Sequence, residues 1–219
     1  MDLANALATK AAADARLEQR LSTLPGVVLI DDLLPPQQRE AVNAYLRAGG
    51  WKFGWKSSSK KDMYSFWHRH FAGHHNGRKE AKYDCSGELR NVAPLMFAFW
   101  RLLERDIFPG HTLVRCYANA HAYGSDGTIH TDSRLERSYT SVYYPHQEWH
   151  PSWGGETVIF NHDQSDILSS IYPRPNRLAV FKGNHPHVAR GVSRICPELR
   201  VTLMFKTVEG TLDAEEEDK

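Results

Sequence analysis

The hydrophobic positions of this chain follow a helical period in its first half and a strand period in its second half. Apolar residues recur three or four positions apart at 37–48, which Gly49-Gly50 ends, and again at 91–106. Short runs rich in β-branched and aromatic residues follow, at 27–30, 112–117, 139–144, 154–160, 177–181 and 200–205. The pattern predicts a mainly β protein with flanking helices, in which antiparallel strands form a double-sheet jelly roll.

The two ends of the chain differ from this core. Residues 2–22 are rich in alanine, with leucines at helical spacing, and predict a helical segment 1–24 that packs outside the core. The functional alternative is a helix that binds a partner protein or forms a homodimer. Residues 209–219 are acidic and poor in large apolar groups, which predicts a disordered tail. Residues 25–208 would then form a single domain.

The segment 51–84 has no sustained period and mixes aromatic residues with Lys, Arg and four histidines. Ordinary packing in irregular strands and loops is one interpretation. The functional alternative is a substrate lid, lined by Trp55, Tyr64, Trp67 and His68. Binding of single-stranded nucleic acid is a weaker alternative, because the rest of the chain offers no matching positive charge.

Composition narrows the class of protein. Lys and Arg number 27 against 26 Asp and Glu, so the net charge of +1 argues against a dedicated nucleic-acid binder. The three cysteines, Cys85, Cys116 and Cys196, form no CxxC pair, which favours neither a disulfide scaffold nor a zinc site and fits a reducing cytoplasm. No secretory apolar run and no apolar stretch of about 18 residues occurs, so we expect neither export nor a membrane span.

The triplet His130-Thr131-Asp132 is the main candidate for chemistry. In an extended strand, residues two apart share a face, so the His130 imidazole and the Asp132 carboxylate would enter one pocket. A distant histidine, His187 or alternatively His185, would complete the two-His, one-carboxylate set that binds Fe(II) and leaves positions open. The remaining histidines, which we expect at the surface or in loops, include His121, His146, His150 and His162.

Further motifs accompany the triplet in a fixed order. Tyr117 precedes it, and an Arg-x-x-Thr strand, a Gly154-Gly155-Glu156-Thr157 turn, the lone His187 and Arg200-Val201-Thr202 follow it. This set resembles the iron- and 2-oxoglutarate-dependent oxygenases, and within them the prolyl-4-hydroxylase type, from about residue 112 to 205. The strand and helix at 29–46 are also similar to that family's start.

The resemblance implies a cupin-like double-stranded β-helix core and a set of roles for individual residues. His130, Asp132 and His187 match the iron ligands. Arg200 matches the residue that pairs with the distal carboxylate of 2-oxoglutarate, and Thr202 shares its strand face. By the same resemblance, two tyrosines match positions that hydrogen-bond this co-substrate, Tyr117 and Tyr144.

The assignment of Arg200 also has a physical basis. A buried dicarboxylate needs a permanent countercharge with planar donors, which Arg supplies and Lys does not. The 13 residues between His187 and Arg200 exceed the usual spacing in the family, and the extra residues 193–198 predict an enlarged turn. Arg190 and Arg194 are the alternatives.

The implied activity is hydroxylation, or another oxidation, of an unactivated C–H bond, with Fe(II) and 2-oxoglutarate, release of succinate and CO2, and ascorbate as a supporting reductant. A small-molecule or amino-acid-like substrate, together with O2, is the favoured partner. A peptidyl or prolyl-type protein hydroxylase is the main alternative; a nucleic-acid demethylase and a non-enzymatic jelly-roll binding module are the others. The candidate substrate contacts are Tyr123, Arg134, Trp55 and Trp67.

Overall fold

The computed structural model describes residues 21–57, 62–73 and 83–212, which form eleven strands and three α-helices. The strands are β1 (Leu21–Leu24), β2 (Val27–Ile30), β3 (Lys52–Trp55), β4 (Phe66–Gly73), β5 (His111–His121), β6 (Ser138–Tyr143), β7 (Thr157–Phe160), β8 (Ile167–Ile171), β9 (Leu178–Lys182), β10 (His187–Ala189) and β11 (Arg200–Glu209). The helices are α1 (Pro36–Arg47), α2 (Ser86–Val92) and α3 (Pro94–Asp106).

Two antiparallel sheets face each other. The large sheet has the order β1-β2-β9-β6-β11-β5-β4-β3, and the small sheet has the order β10-β7-β8. Ile159 and Ile171 of the small sheet pack in one buried cluster with Val142, Phe181 and Met204 of the large sheet. This arrangement confirms the predicted jelly-roll core of a mainly β protein.

The three helices cover the other face of the large sheet. Phe99 and Trp100 of α3 pack against Phe205 of β11, with ring centroids 5.4 and 6.3 Å apart, and Phe99 meets Tyr143 of β6 edge to face at 4.9 Å. These side chains belong to the larger of the hydrophobic clusters. Because the helices bury one face of the large sheet, its other face is left to line the space between the sheets.

The helix predicted at 91–106 is two helices. Ala93 separates them with an extended backbone, φ −142° and ψ 74°. Pro94 explains the break, since proline disfavours the helical conformation of the residue before it and has no N–H to donate to an earlier carbonyl. The same ring is well suited to the first turn of α3.

The ends of the chain depart from expectation where they are described. Residues 1–20, which carry most of the predicted N-terminal helix and its possible dimer contact, lie outside the described residues. Leu21 and Ser22, placed at the end of that helix, belong instead to β1, which pairs with β2. Strand β11 extends through Glu209, and Gly210 donates to the Gly110 carbonyl, so the predicted tail begins later than 209; residues 213–219 are not described.

The segment 51–84 contributes two strands to the large sheet. β4 pairs with β5, and β3 is the edge strand beyond it. Both pairings contain a register shift, one next to Gly54 and one between His70 and Ala72. Residues 58–61 and 74–82 lie outside the described part, so the lid hypothesis stays a prediction. None of the three helices described has the length and hydrophobicity to cross a membrane.

Asn176 anchors the entry to α1, and its replacement tests the fold. Its side chain accepts from Leu34 N at 2.9 Å and Tyr143 Oη at 3.0 Å and donates to the Leu34 carbonyl at 2.9 Å, from a buried residue with φ 63°. Asn176→Ala should lower the free energy of unfolding by about 3 kcal/mol, because it removes these bonds and leaves buried groups unpaired. Urea denaturation measures the loss.

Gln164→Ala is the matched control, since Gln164 has a similar φ of 62° but an exposed side chain. It should cost less than about 1 kcal/mol, the contribution of backbone strain alone. Equal losses in the two variants would contradict the role given to the Asn176 hydrogen bonds.

Candidate metal centre

Three side chains converge at the open end of the space between the sheets. His130 and Asp132 come from the segment between β5 and β6, and His187 is the first residue of β10; their ligand atoms lie within 4.8 Å of one another. The Nε2 of His187 is 3.2 Å from Asp132 Oδ2, and the Nε2 of His130 is 3.7 Å from Asp132 Oδ1. The structure therefore brings together the predicted triad.

The triplet lies outside the strands. His130 forms a single antiparallel bridge with His187, in which His130 N donates to the His187 carbonyl at 3.0 Å and His187 N donates back at 2.9 Å. Asp132 N and Ser133 N both donate to the Gly183 carbonyl, at 2.8 and 3.0 Å. These backbone contacts hold the triplet in place, so that the His130 and Asp132 side chains enter one pocket without the predicted strand.

Backbone carbonyls set the tautomer of both histidines. His130 Nδ1 is 2.8 Å from the Thr128 carbonyl, and His187 Nδ1 is 2.9 Å from the His185 carbonyl. A carbonyl can only accept, so each Nδ1 carries the proton and each Nε2 is left with its lone pair towards Asp132. Thr128 is held in turn, because its N–H donates to buried Asp62 at 3.0 Å.

The Asp132 carboxylate is held through one oxygen. Thr140 Oγ1 donates to Asp132 Oδ2 at 2.7 Å, and Lys206 Nζ donates to the same oxygen and lies 3.0 Å from Thr140 Oγ1. Lys206 is 8% exposed, and its burial, with the nearby positive charge of Arg115, lowers its pKa well below the ordinary value. The contacts orient the carboxylate and offset its charge.

This donor set fits Fe(II). Two imidazole nitrogens and one carboxylate oxygen are the ligands of the non-haem iron triad, which leaves positions open on the metal. Burial lowers the pKa of His130 to about 3, so its imidazole is neutral and can ligate. Carbonyl partners behind each ring are the usual second layer of such a site.

Arg200 lies at the closed end of the same pocket. The residues that line this pocket include Arg200 and all three members of the triad. Arg200 is 1% exposed, donates from Nε to the Gly155 carbonyl and from Nη2 to Thr157 Oγ1 at 2.7 Å, and pairs with no carboxylate over the described residues. A buried guanidinium without an acidic partner fits the distal carboxylate of 2-oxoglutarate.

The Gly154-Gly155 turn allows this placement. Both glycines have positive φ, 67° and 81°, which other residues rarely adopt. A Cβ on Gly155 would lie 3.0 Å from Arg200 Cδ. The turn thus lets the backbone approach the arginine closely and accept its Nε–H.

The other residues predicted for the co-substrate divide into two groups. Tyr117 and Thr202 line the pocket, whereas Tyr144 is fully buried behind it and donates from Oη to Thr157 Oγ1 at 2.8 Å. The alternatives are elsewhere: Arg190 and Arg194 are exposed. The His185 ring lies against that of His162, with centroids 5.0 Å apart.

None of the four tentative substrate residues is in the pocket lining. Trp55 stacks on His68 at 4.1 Å, next to the pocket wall. Trp67 lies on the opposite face of β4 and contacts Phe53, and Tyr123 is 57% exposed with its Oη 3.3 Å from Arg194 Nη2. Arg134 is exposed. The structure therefore gives none of them, Trp55 included, a place in the pocket lining.

Sequence reasoning missed several polar groups of the site. The expectation of a surface or loop position is wrong for His121, which is the last residue of β5 and 3% exposed, whereas His146 lies in a loop but is buried, at 4% exposure. His121 lines the pocket together with Asn119, and burial, with the charge of Arg200, lowers its pKa to about 3. Its period-two spacing from Tyr117 along β5 was a usable signal, as was that of Lys206 from Arg200 along β11.

Comparison with known proteins identifies a family that the chain resembles. Residues 116–205 match the family model of the 2OG-Fe(II) oxygenase superfamily, which confirms the resemblance found in the sequence. No curated protein matches the chain.

Solved structures share the fold at low identity. The chain is similar to a 2OG-Fe(II) oxygenase family oxidoreductase from Burkholderia pseudomallei (16% identity, 93% of this chain and 92% of that one, TM-score 0.64) and to a Pseudomonas putida prolyl-4-hydroxylase (18%, 96% and 100%, 0.57). It is also similar to the non-heme alpha-ketoglutarate-dependent carbocyclase SnoK from nogalamycin biosynthesis (11%, 94% and 85%, 0.59). The shared fold therefore accommodates different reactions.

The hydrogen bond from Thr140 to Asp132 predicts an effect on metal binding. Thr140→Val keeps the side-chain volume and removes the hydroxyl, so it should weaken Fe(II) binding by roughly 10- to 100-fold, as the loss of an outer-layer partner typically does. Anaerobic calorimetric titration with Fe(II) measures this change. Thr207→Val is the control, because Thr207 is equally buried on β11 but bonds to His111 at 3.2 Å; an unchanged affinity in Thr140→Val would disprove the role.

Proposed function

We propose that this member of the 2OG-Fe(II) oxygenase superfamily binds Fe(II) through His130, Asp132 and His187 and binds 2-oxoglutarate through Arg200. The reaction is hydroxylation, or another oxidation, of a C–H bond in a small amino-acid-like molecule. The observation that carries the proposal is the convergence of the three ligand atoms within 4.8 Å in a pocket whose far end holds a buried, acid-free guanidinium.

The chain's own residues supply binding, orientation and exclusion of water. Bound Fe(II) would let O2 oxidise 2-oxoglutarate to succinate and CO2 while the second oxygen atom enters the substrate. Arg200 donates to the distal carboxylate, and the Thr202 hydroxyl, two residues along the same strand face, donates beside it. Tyr117 lines the co-substrate pocket on the β5 side. Tyr144 donates a hydrogen bond to Thr157, whose hydroxyl in turn accepts one from the Arg200 guanidinium.

Two observations bear on the kind of substrate. A small-molecule substrate is supported by a pocket that lies between the sheets and whose lining residues come from both of them. A prolyl-type peptide hydroxylase is the second candidate, supported by the exposed apolar side chains of Phe53, Met63 and Tyr64 on the β3–β4 segment, which could contact a peptide. Turnover with free amino acids and none with peptides would decide for the first.

Removal of the carboxylate ligand should abolish the activity. Wild-type protein with Fe(II), 2-oxoglutarate and ascorbate should form succinate, and Asp132→Ala should form less than about 1% as much, because one of three metal ligands is gone. The bound Fe(II) per chain, measured after desalting, should fall in parallel. Asp163→Ala is the control on an exposed loop; full turnover by Asp132→Ala would refute the metal assignment.

Changes at Arg200 should act on the co-substrate. Arg200→Met should raise the dissociation constant of 2-oxoglutarate by roughly 10- to 100-fold, equivalent to a charged hydrogen bond of about 1.5–3 kcal/mol, and should change Fe(II) affinity far less. Arg200→Lys retains the charge but loses the planar pair of donors and should give an intermediate value.

Calorimetry of the metal-loaded protein measures both constants. Arg190→Met is the exposed control. If the constant for 2-oxoglutarate moves in the control and not in Arg200→Met, the role belongs to the other arginine.

A further inference from the structure

A second arginine lies on the inner face of the large sheet, next to Tyr117 of the pocket lining. Arg115 of β5 lies opposite Lys206 of β11 in the strand register, and the Lys206 ammonium contacts Asp132. Alternate residues of a strand share a face, so Arg115 is on the same face as Tyr117. Its guanidinium carbon lies 4.6 Å from the centre of the Tyr117 ring and 5.5 Å from that of Trp55.

This guanidinium has no anionic partner over the described residues. Its Nε and Nη2 atoms are buried and make no hydrogen bond. Two acids of neighbouring segments have other partners: Asp132 accepts from Thr140 and Lys206, and Glu88 Oε2 accepts from Gly73 N at 2.9 Å and Tyr83 Oη at 3.1 Å. Arg115 as a whole is half-buried, but two buried guanidinium nitrogens without a hydrogen bond, next to a residue of the pocket lining, indicate a ligand of opposite charge.

One co-substrate molecule does not account for both arginines. Arg200 pairs in register with His121 at one end of the inner face, and Arg115 pairs with Lys206 six residues further along β11. Six residues of an antiparallel strand span roughly 20 Å, which is longer than a five-carbon diacid. The backbone positions of the two arginines are therefore far apart along the strands, and the candidate metal ligand Asp132 lies at the Arg115 end, where Lys206 contacts it.

We propose that Arg115 binds a carboxylate of the organic substrate, and that the substrate is a small carboxylic acid, such as a free amino acid, whose C–H bond is thereby directed towards the triad. The inference rests on the proposed function and narrows its substrate class. Arg offers two parallel N–H donors that match a carboxylate. The flanking rings of Trp55 and Tyr117 hold the guanidinium plane and limit its contact with water, which strengthens the ion pair.

The test compares acids with uncharged analogues of the same shape. Protein loaded anaerobically with Fe(II) and saturating 2-oxoglutarate is titrated by calorimetry with the twenty L-amino acids, their carboxamides and inorganic phosphate. At least one amino acid should bind, its carboxamide should bind at least 10-fold more weakly, and the amino acid should stimulate succinate formation in air.

Variants assign this preference to Arg115. Arg115→Met should abolish the preference for acid over amide, and Arg115→Lys should retain part of it. Arg101→Met, an exposed arginine of α3, is the matched control and should leave the preference intact. The dissociation constant of 2-oxoglutarate should follow Arg200 variants and not Arg115 variants, a split that general loss of folding would not produce.

Several outcomes overturn the inference. They are equal binding of acid and amide, survival of the preference in Arg115→Met, binding of phosphate in place of the acids, or no binding by any amino acid of the panel. In each of these cases, wild-type protein that still forms succinate in an Arg200-dependent manner retains the proposed oxygenase function. Wild-type protein that forms no succinate from 2-oxoglutarate loses both.

Discussion

The pairing of β11 with β5 and β6 is the constraint on which both halves of the molecule depend. Leu203 and Phe205 are fully buried against the helices, while Arg200, Thr202 and Lys206 face the space between the sheets. Because side chains alternate along a strand, a slip of one residue would send the charged groups into the helix-covered core and the apolar ones into the site. The hydrophobic packing that fixes the register therefore also fixes the guanidinium and ammonium groups of the site.

Burial gives these polar contacts their strength. Asp132, Thr140 and Lys206 form a network in which a cation, a hydroxyl and a carboxylate satisfy one another away from water. In such surroundings a satisfied network orients its members firmly, whereas an unpaired member is costly. Directly after this network the β11–β5 pairing shifts register, because Val114 of β5 has no partner on β11. The metal site is thus held from behind by the sheet before any metal binds.

Sequence reasoning found the parts of this site that depend on spacing and residue type. The triplet at 130–132, His187 and Arg200 are recognisable because their chemistry is rare in combination. The supporting groups depend on which strands are neighbours, which no local pattern states. Arg115 meets Lys206 only through the β5–β11 register, and Trp67 faces outwards because of the register between β4 and β5. The metal triplet itself proved to be bridged backbone and not a strand, since His187 and Gly183 replace the expected ladder.

The guanidinium groups of Arg200 and Arg115 lie at different ends of the inner face of the large sheet. One guanidinium lies at the enclosed end beside the Gly154-Gly155 turn, where the small sheet covers it, and the other lies near the β3–β4 edge, beside Trp55. The strand register keeps the two groups apart, because Arg200 and the residue opposite Arg115, Lys206, are six residues apart on β11. The enclosed guanidinium suits the proposed co-substrate, and the proposed organic substrate would meet the guanidinium beside the edge strands.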